Sequence, residues 1–87
     1  GTNYKLLQNS PNPFSEITEI CFYLPEKAFV KIELFNLLGE KIETIRSDNF
    51  DSGNNTIVFD RKNLPAGTYF YRLSSGEFSV AKAMSIE

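Results

Sequence analysis

Apolar and polar side chains alternate with a period of two along most of this 87-residue chain, and that pattern limits its fold more than any other feature. Thr18, Ile20, Phe22 and Leu24 share one parity, with Ile17, Glu19, Cys21 and Tyr23 on the other. Ala28, Val30, Ile32 and Leu34 alternate with Phe29, Lys31, Glu33 and Phe35. Ile57 and Phe59 form a shorter run. Tyr69, Tyr71 and Leu73 oppose Phe70 and Arg72, and Phe78, Val80, Lys82, Met84 and Ile86 oppose Ser79, Ala81, Ala83 and Ser85. Successive side chains of a strand point to opposite faces, so each run reads as a strand with one core face. Ile, Val, Thr, Phe and Tyr supply 27 residues against five for Ala and Met, which suits a pleated, half-buried surface. Turn residues recur at Asn9–Pro13, Pro25–Lys27, Gly39, Ser52–Asn55, Pro65–Gly67 and Ser74–Gly76. With short segments near Tyr4–Gln8 and Glu40–Arg46, this predicts an all-β sandwich or barrel of about seven strands.

One stretch fits two readings. Leu34, Leu37, Leu38, Ile42 and Ile45 have helical spacing, whereas Gly39 in their midst would cost a helix about 1 kcal/mol relative to Ala. The same glycine suits the positive-φ position of a hairpin turn, and periodicity alone puts the hairpin only slightly ahead.

Composition excludes chemistry more firmly than it suggests any. The chain has no histidine and a single cysteine, Cys21. His or paired-Cys metal sites, Ser-His-Asp or Cys-His nucleophiles and internal disulfides are therefore excluded, and no catalysis and no cofactor are expected. Nine basic residues face eleven acidic ones, a net charge of -2, which argues against a nucleic-acid module. No apolar run approaches the ~20 residues of a membrane-spanning helix, and no signal peptide is visible. The length predicts one domain over residues 1–87, with residues 1–5 read as linker or cloning remnant. The chain reads as a piece of a longer protein, so the missing leader carries little weight.

The remaining candidates have plain explanations beside the functional ones. Asp48, Asp51 and Gly53 resemble a calcium loop only until the register is checked, because the third and twelfth positions fall on Phe50 and Phe59. Glu33 and Glu43 read as solvated charges on neighbouring strands rather than as an acid pair. Asn54-Asn55-Thr56 is a formal glycosylation sequon that also makes an ordinary turn, and Cys21 reads as a small packed apolar group. Tyr23, Phe29, Phe35 and Phe70 have the parity opposite to the core. They either pack under loops and edges or form a platform for sugar rings or a protein.

Five segments, in order and in register, resemble the type A C-terminal sorting domain of the type IX secretion system. They are Leu7-Gln8-Asn9-Ser10-Pro11-Asn12-Pro13-Phe14; Thr18-x-Ile20-x-Phe22-x-Leu24-Pro25; Val30-x-Ile32-x-Leu34-Phe35-Asn36-x-x-Gly39-x-x-Ile42; Ile57-x-Phe59-Asp60 with Asn63-Leu64-Pro65-Ala66-Gly67-x-Tyr69-Phe70-Tyr71-Arg72-Leu73; and Lys82-x-Met84-x-Ile86. Ser10 departs from the aromatic common before Pro-Asn-Pro-Phe, and Glu87 from the basic residue that often closes the family's sequences.

The resemblance implies an immunoglobulin-like antiparallel sandwich, with a hairpin at Gly39. It also implies a secretion signal at the end of a larger, Bacteroidetes-type exported protein. Such a signal crosses the periplasm and directs its covalently attached N-terminal cargo to the medium or the cell surface. The partners implied are an outer-membrane translocon, a shuttle protein and a sortase-like peptidase that removes the domain. The alternatives are a carbohydrate-binding accessory domain using Tyr23, Phe29, Phe35 or Phe70, and a structural immunoglobulin-like spacer. Matched positions take physical roles. Pro11 and Pro13 fix φ, Asn12 bonds its own backbone to shape a turn, and Phe14 anchors the segment in the core. Gly67 turns the chain so that Tyr69 points inward. Lys82 shares the inward parity of Met84 and Ile86, so it either snorkels or is displayed to a partner.

Overall fold

The computed structural model describes residues 3–87; Gly1 and Thr2 lie outside the described residues. Seven strands run in order: β1 (Lys5–Leu6), β2 (Ile17–Leu24), β3 (Ala28–Phe35), β4 (Lys41–Phe50), β5 (Gly53–Asp60), β6 (Gly67–Ser75) and β7 (Phe78–Ile86). They form two antiparallel sheets, β1-β2-β5 and β4-β3-β6-β7, an all-β sandwich without a helix among the described residues. This is the strand layout of an immunoglobulin-like domain in which the fourth strand has joined the sheet of the third, sixth and seventh.

The alternation read from the sequence is the alternation of burial. Ile20, Phe22 and Leu24 of β2, Val30, Ile32 and Leu34 of β3, Ile57 and Phe59 of β5, Tyr69, Tyr71 and Leu73 of β6, and Met84 and Ile86 of β7 fill one core between the sheets. The ambiguous stretch is a hairpin. Gly39 takes φ of 83°, and Asn36 Oδ1 accepts the Leu38 and Glu40 amides at 2.9 Å each, closing the loop between β3 and β4. Between β6 and β7 the register closes at Ser75 opposite Phe78, and Gly76 takes φ of 59° in the two-residue turn. A glycine at the first central position of so short a loop matches the right-handed twist of the strands it joins.

The passage from β5 to β6 is held by Tyr69, whose hydroxyl donates to the Pro65 carbonyl at 2.7 Å. A tyrosine early in the sixth strand bonding back a few residues upstream is the tyrosine corner of immunoglobulin-like sandwiches. Gly67, at φ of 146°, opens the strand and lets Tyr69 turn inward, as the Pro-x-Gly spacing leads one to expect.

Asn54-Asn55-Thr56, read as a turn, is strand within β5, and Asp48, read as part of a loop, lies in β4. Two expectations about side chains on the outer faces also fail. Glu33 is buried rather than solvated, because Lys41 and Arg72 close over it at 3.1 and 3.2 Å. Cys21 is half-exposed on the outer face of β2, with Sγ 3.3 Å from Thr56 Oγ1, rather than packed as an apolar group.

Candidate recognition site

β7 is an edge strand: it pairs with β6 on one side only. Strand alternation turns the N–H and C=O groups of every second residue away from β6, and from Ser79 to Ser85 these outward residues are the odd-numbered ones. An unpaired row of this kind is a template for a further strand. Its far half is sealed from within. Phe14 donates its amide to the Ser85 carbonyl at 3.1 Å, and its own carbonyl accepts the Glu87 amide at 2.8 Å. Asn12 Oδ1 accepts the Ser85 amide at 2.9 Å, and Gln8 Nε2 donates to the Ala83 carbonyl at 2.6 Å. Segment 8–14 thus lies along β7 as a clip. The half of the edge around Ser79 and Ala81 pairs with no strand among the described residues.

The clip is itself anchored in the core. Phe14 is 1% exposed and meets Phe59 edge to face. Tyr71 is fully buried and sets its hydroxyl against the segment before β2, donating to the Leu7 carbonyl at 2.8 Å and accepting the Asn9 amide at 2.9 Å. Asn9 is buried beside it. Its Nδ2 reaches Thr18 Oγ1 at 3.1 Å and the Pro11 carbonyl at 3.2 Å, and Thr18 donates to that same carbonyl at 2.8 Å. Burial pushes the Tyr71 phenol up to about 12, outweighing the opposing effect of the Asn9 amide, since the ionised form would sit in the core without water. Arg61 staples the same end. It donates to the carbonyl oxygens of Ser15 at 2.9 Å, Glu87 at 2.7 Å and Leu64 at 3.0 Å.

Asn12 therefore does not bond its own backbone to shape a turn, as its position between two prolines suggested; its side chain crosses to β7. Both flanking bonds, Ser10–Pro11 and Asn12–Pro13, are cis.

The family model described as a secretion system C-terminal sorting domain matches residues 10–87, a span that begins within the clip and takes in every strand from β2 to β7. The chain belongs to that family. It is a type IX sorting domain, a signal for protein export. No curated protein matches the chain.

Within the sorting domain the motif residues fall into four places. Pro11, Asn12, Pro13, Phe14, Gly67, Tyr69, Met84 and Ile86 gather at one end, where Gly67 is opposite Ile86 and Tyr69 opposite Met84. Leu24 and Pro25 stand at the other end of β2, where Leu24 is buried opposite Gly53. Gly39 lies apart on the β3–β4 hairpin. Lys82 is half-buried on the inward face, opposite Tyr71, and makes no ion pair among the described residues. Asn9 and Arg61 are the clip residues that parity does not single out, and for Tyr71 parity gives the inward face but not the clip contact. For Tyr71 a signal existed, because a buried phenol must find a partner for its hydroxyl.

The four outer-face aromatics do not form one platform. Tyr23 belongs to the other sheet, while Phe35 and Phe70 are register partners on β3 and β6. Phe29 is six residues up β3 from Phe35, about 20 Å away at ~3.3 Å per residue. The Arg72 guanidinium stacks over the Phe35 ring at 4.7 Å and bonds Glu33 at 3.2 Å. Burial pushes the Glu33 carboxyl up, but hydrogen bonds and charge from Lys41 and Arg72 outweigh it and hold the group below its ordinary value.

Proposed function

We propose that this sorting domain is a non-catalytic export address, recognised as a folded unit while its N-terminal cargo follows it. On this reading the cargo passes through the periplasm, is handed by a shuttle protein to and from an outer-membrane translocon, and reaches the surface or medium. A sortase-like peptidase there separates domain from cargo. The observation that carries the reading is the clip: the segment that would join the cargo is hydrogen-bonded along β7, so the junction and the last strand form one structural unit. Recognition then uses the open half of the β7 edge, where a partner adds a strand through the outward groups of Ser79 and Ala81.

The test is a fusion of residues 1–87 to a periplasmic reporter in a bacterium with an active type IX system. Reporter appears at the surface or in the medium. Reporter that remains periplasmic, or that leaves equally well without residues 78–87, overturns the proposal. Ser79→Pro and Ala81→Pro probe strand addition alone. An outward-facing edge position tolerates proline in the fold, yet proline cannot donate to an added strand. Both variants fold and lose export; unchanged export removes the strand-addition step.

A further inference from the structure

The outer face of β3, β6 and β7 carries a hollow of about 290 Å³ that neither the core nor the clip uses, lined by Phe35, Asn36, Leu37, Phe70, Arg72 and Ala81. It exists because Ala81 stands opposite Arg72 with nothing beyond a methyl group, while the β3–β4 hairpin rises on the other side. Its rim is apolar and open to solvent: Phe70 is 38% exposed and Leu37 66%. Arg72 charges its lining, and Lys31 and Lys41 share the same face, three cations against the carboxylates of Glu33 and of Glu40 on the hairpin, on a chain of net charge -2.

The polar groups of the site are tied together before anything binds. Asn36 ties the hairpin with two backbone contacts and a 2.8 Å bond to Glu40 Oε1. Arg72 is fixed on the Phe35 ring and by Glu33, which Lys41 holds in turn. Glu33 takes one Nη2 hydrogen of the guanidinium, and its other N–H groups have no partner among the described residues, which leaves donors for an oxygen acceptor in the hollow that Arg72 lines. Little side-chain freedom remains to be lost on binding.

We infer that this hollow docks an acidic segment of a protein partner, an extended stretch that sets one bulky apolar side chain between Phe70 and Leu37 and a carboxylate on Arg72. Charge complementarity selects the acidic partner. A carbohydrate fits worse, because stacking needs a free ring face and Arg72 covers that of Phe35. The site stands whether or not the β7 edge takes a strand, and it adds to the export reading a second contact of defined chemistry.

The decisive measurement is a chemical-shift titration of the 87-residue chain with the blocked pentapeptide Asp-Glu-Phe-Asp-Glu. Saturable shifts centre on Phe35, Leu37, Phe70, Arg72 and Ala81, and the Lys-Lys-Phe-Lys-Lys control produces none there. Arg72→Glu weakens binding about tenfold or more, the loss of a charge-assisted contact. Leu37→Ser, exposed on the hairpin and outside the core, weakens it with the thermal midpoint unchanged. Shifts elsewhere, equal binding of the basic peptide, tight binding of a β-glucan oligosaccharide at the hollow, or self-association through this face overturns the inference. The reporter fusion keeps the two readings separate. Wild-type reporter that stays periplasmic defeats the export reading and leaves the titration to decide the hollow; exported wild type with no peptide shifts defeats only the hollow.

Discussion

Tyr71 shows what one polar atom does at the centre of a small domain. Its ring fills the core while its hydroxyl satisfies both an amide and a carbonyl of the clip. Tyr71→Phe keeps the ring and strands both groups, so stability falls by about 1–3 kcal/mol, a drop of roughly 4–8 °C in thermal midpoint for each kcal/mol. The phenol also sets an alkaline limit. Its unfolded value is 10.0 and its folded value about 12, so the unfolded chain loses the proton first. The stabilisation is complete below pH 10 and disappears as pH rises toward 12; Tyr71→Phe removes that part of the alkaline slope. Glu33 has the opposite sign. A carboxyl held below its ordinary value of 4.5 stabilises the fold above that pH and stops doing so as the pH falls through its folded value. Thermal midpoints measured at pH 7 and pH 3 should therefore differ less in Glu33→Gln than in the wild type. Neither partnership was legible in the sequence. Parity puts Tyr71 inside and Glu33 outside correctly as directions, but says nothing of Lys41 and Arg72 folding over a carboxylate.

At the scale of elements the sequence was most informative, because a strand's two faces are written in its own residues. The bounds of β3 fall where alternation put them, and Gly39 turns a hairpin whose helical spacing is incidental. The leucines that suggested a helix, Leu37 and Leu38, are among the most exposed apolar residues of the domain. What alternation cannot show is pairing between segments far apart in the chain. Asn12 and Ser85 lie 73 residues apart, and no local pattern links them. The clip makes a local prediction. Asn12→Ala removes one hydrogen bond, about 1 kcal/mol, and raises the amide exchange rate of Ser85. Leu73 and Val30, in the middle of the four-stranded sheet, should keep their protection until the whole domain opens. A uniform rise across β6 and β7 would mean that the clip holds the entire sheet rather than its edge.

For the molecule as a whole, the clip determines how much of the β7 edge a neighbour can use. Two of the five strand pairings join strands far apart in the chain, β2 with β5 in one sheet and β3 with β6 in the other. Such a topology forms as one cooperative unit, and its exposed edges are where it meets other chains. Removing residues 1–13 deletes β1, the buried Leu6, the Asn9 network and the Asn12 contact, while leaving Phe14 and every strand from β2 to β7. Tyr71 loses both partners in the same step. The shortened chain should unfold at a lower denaturant midpoint. Where it remains folded, the outward row from Ser79 to Ser85 is bare apart from the Phe14 contact. A row of that length pairs readily with its counterpart on a second copy, so sedimentation should show concentration-dependent dimers that the 87-residue chain does not form. Adding Ala81→Pro and Ala83→Pro to the shortened chain should return it to monomer, since the two prolines remove donors from the middle of the bared row. Dimers that persist with both prolines would place the association on another surface, and a shortened chain that stays monomeric at high concentration would show that the clip is not what guards β7.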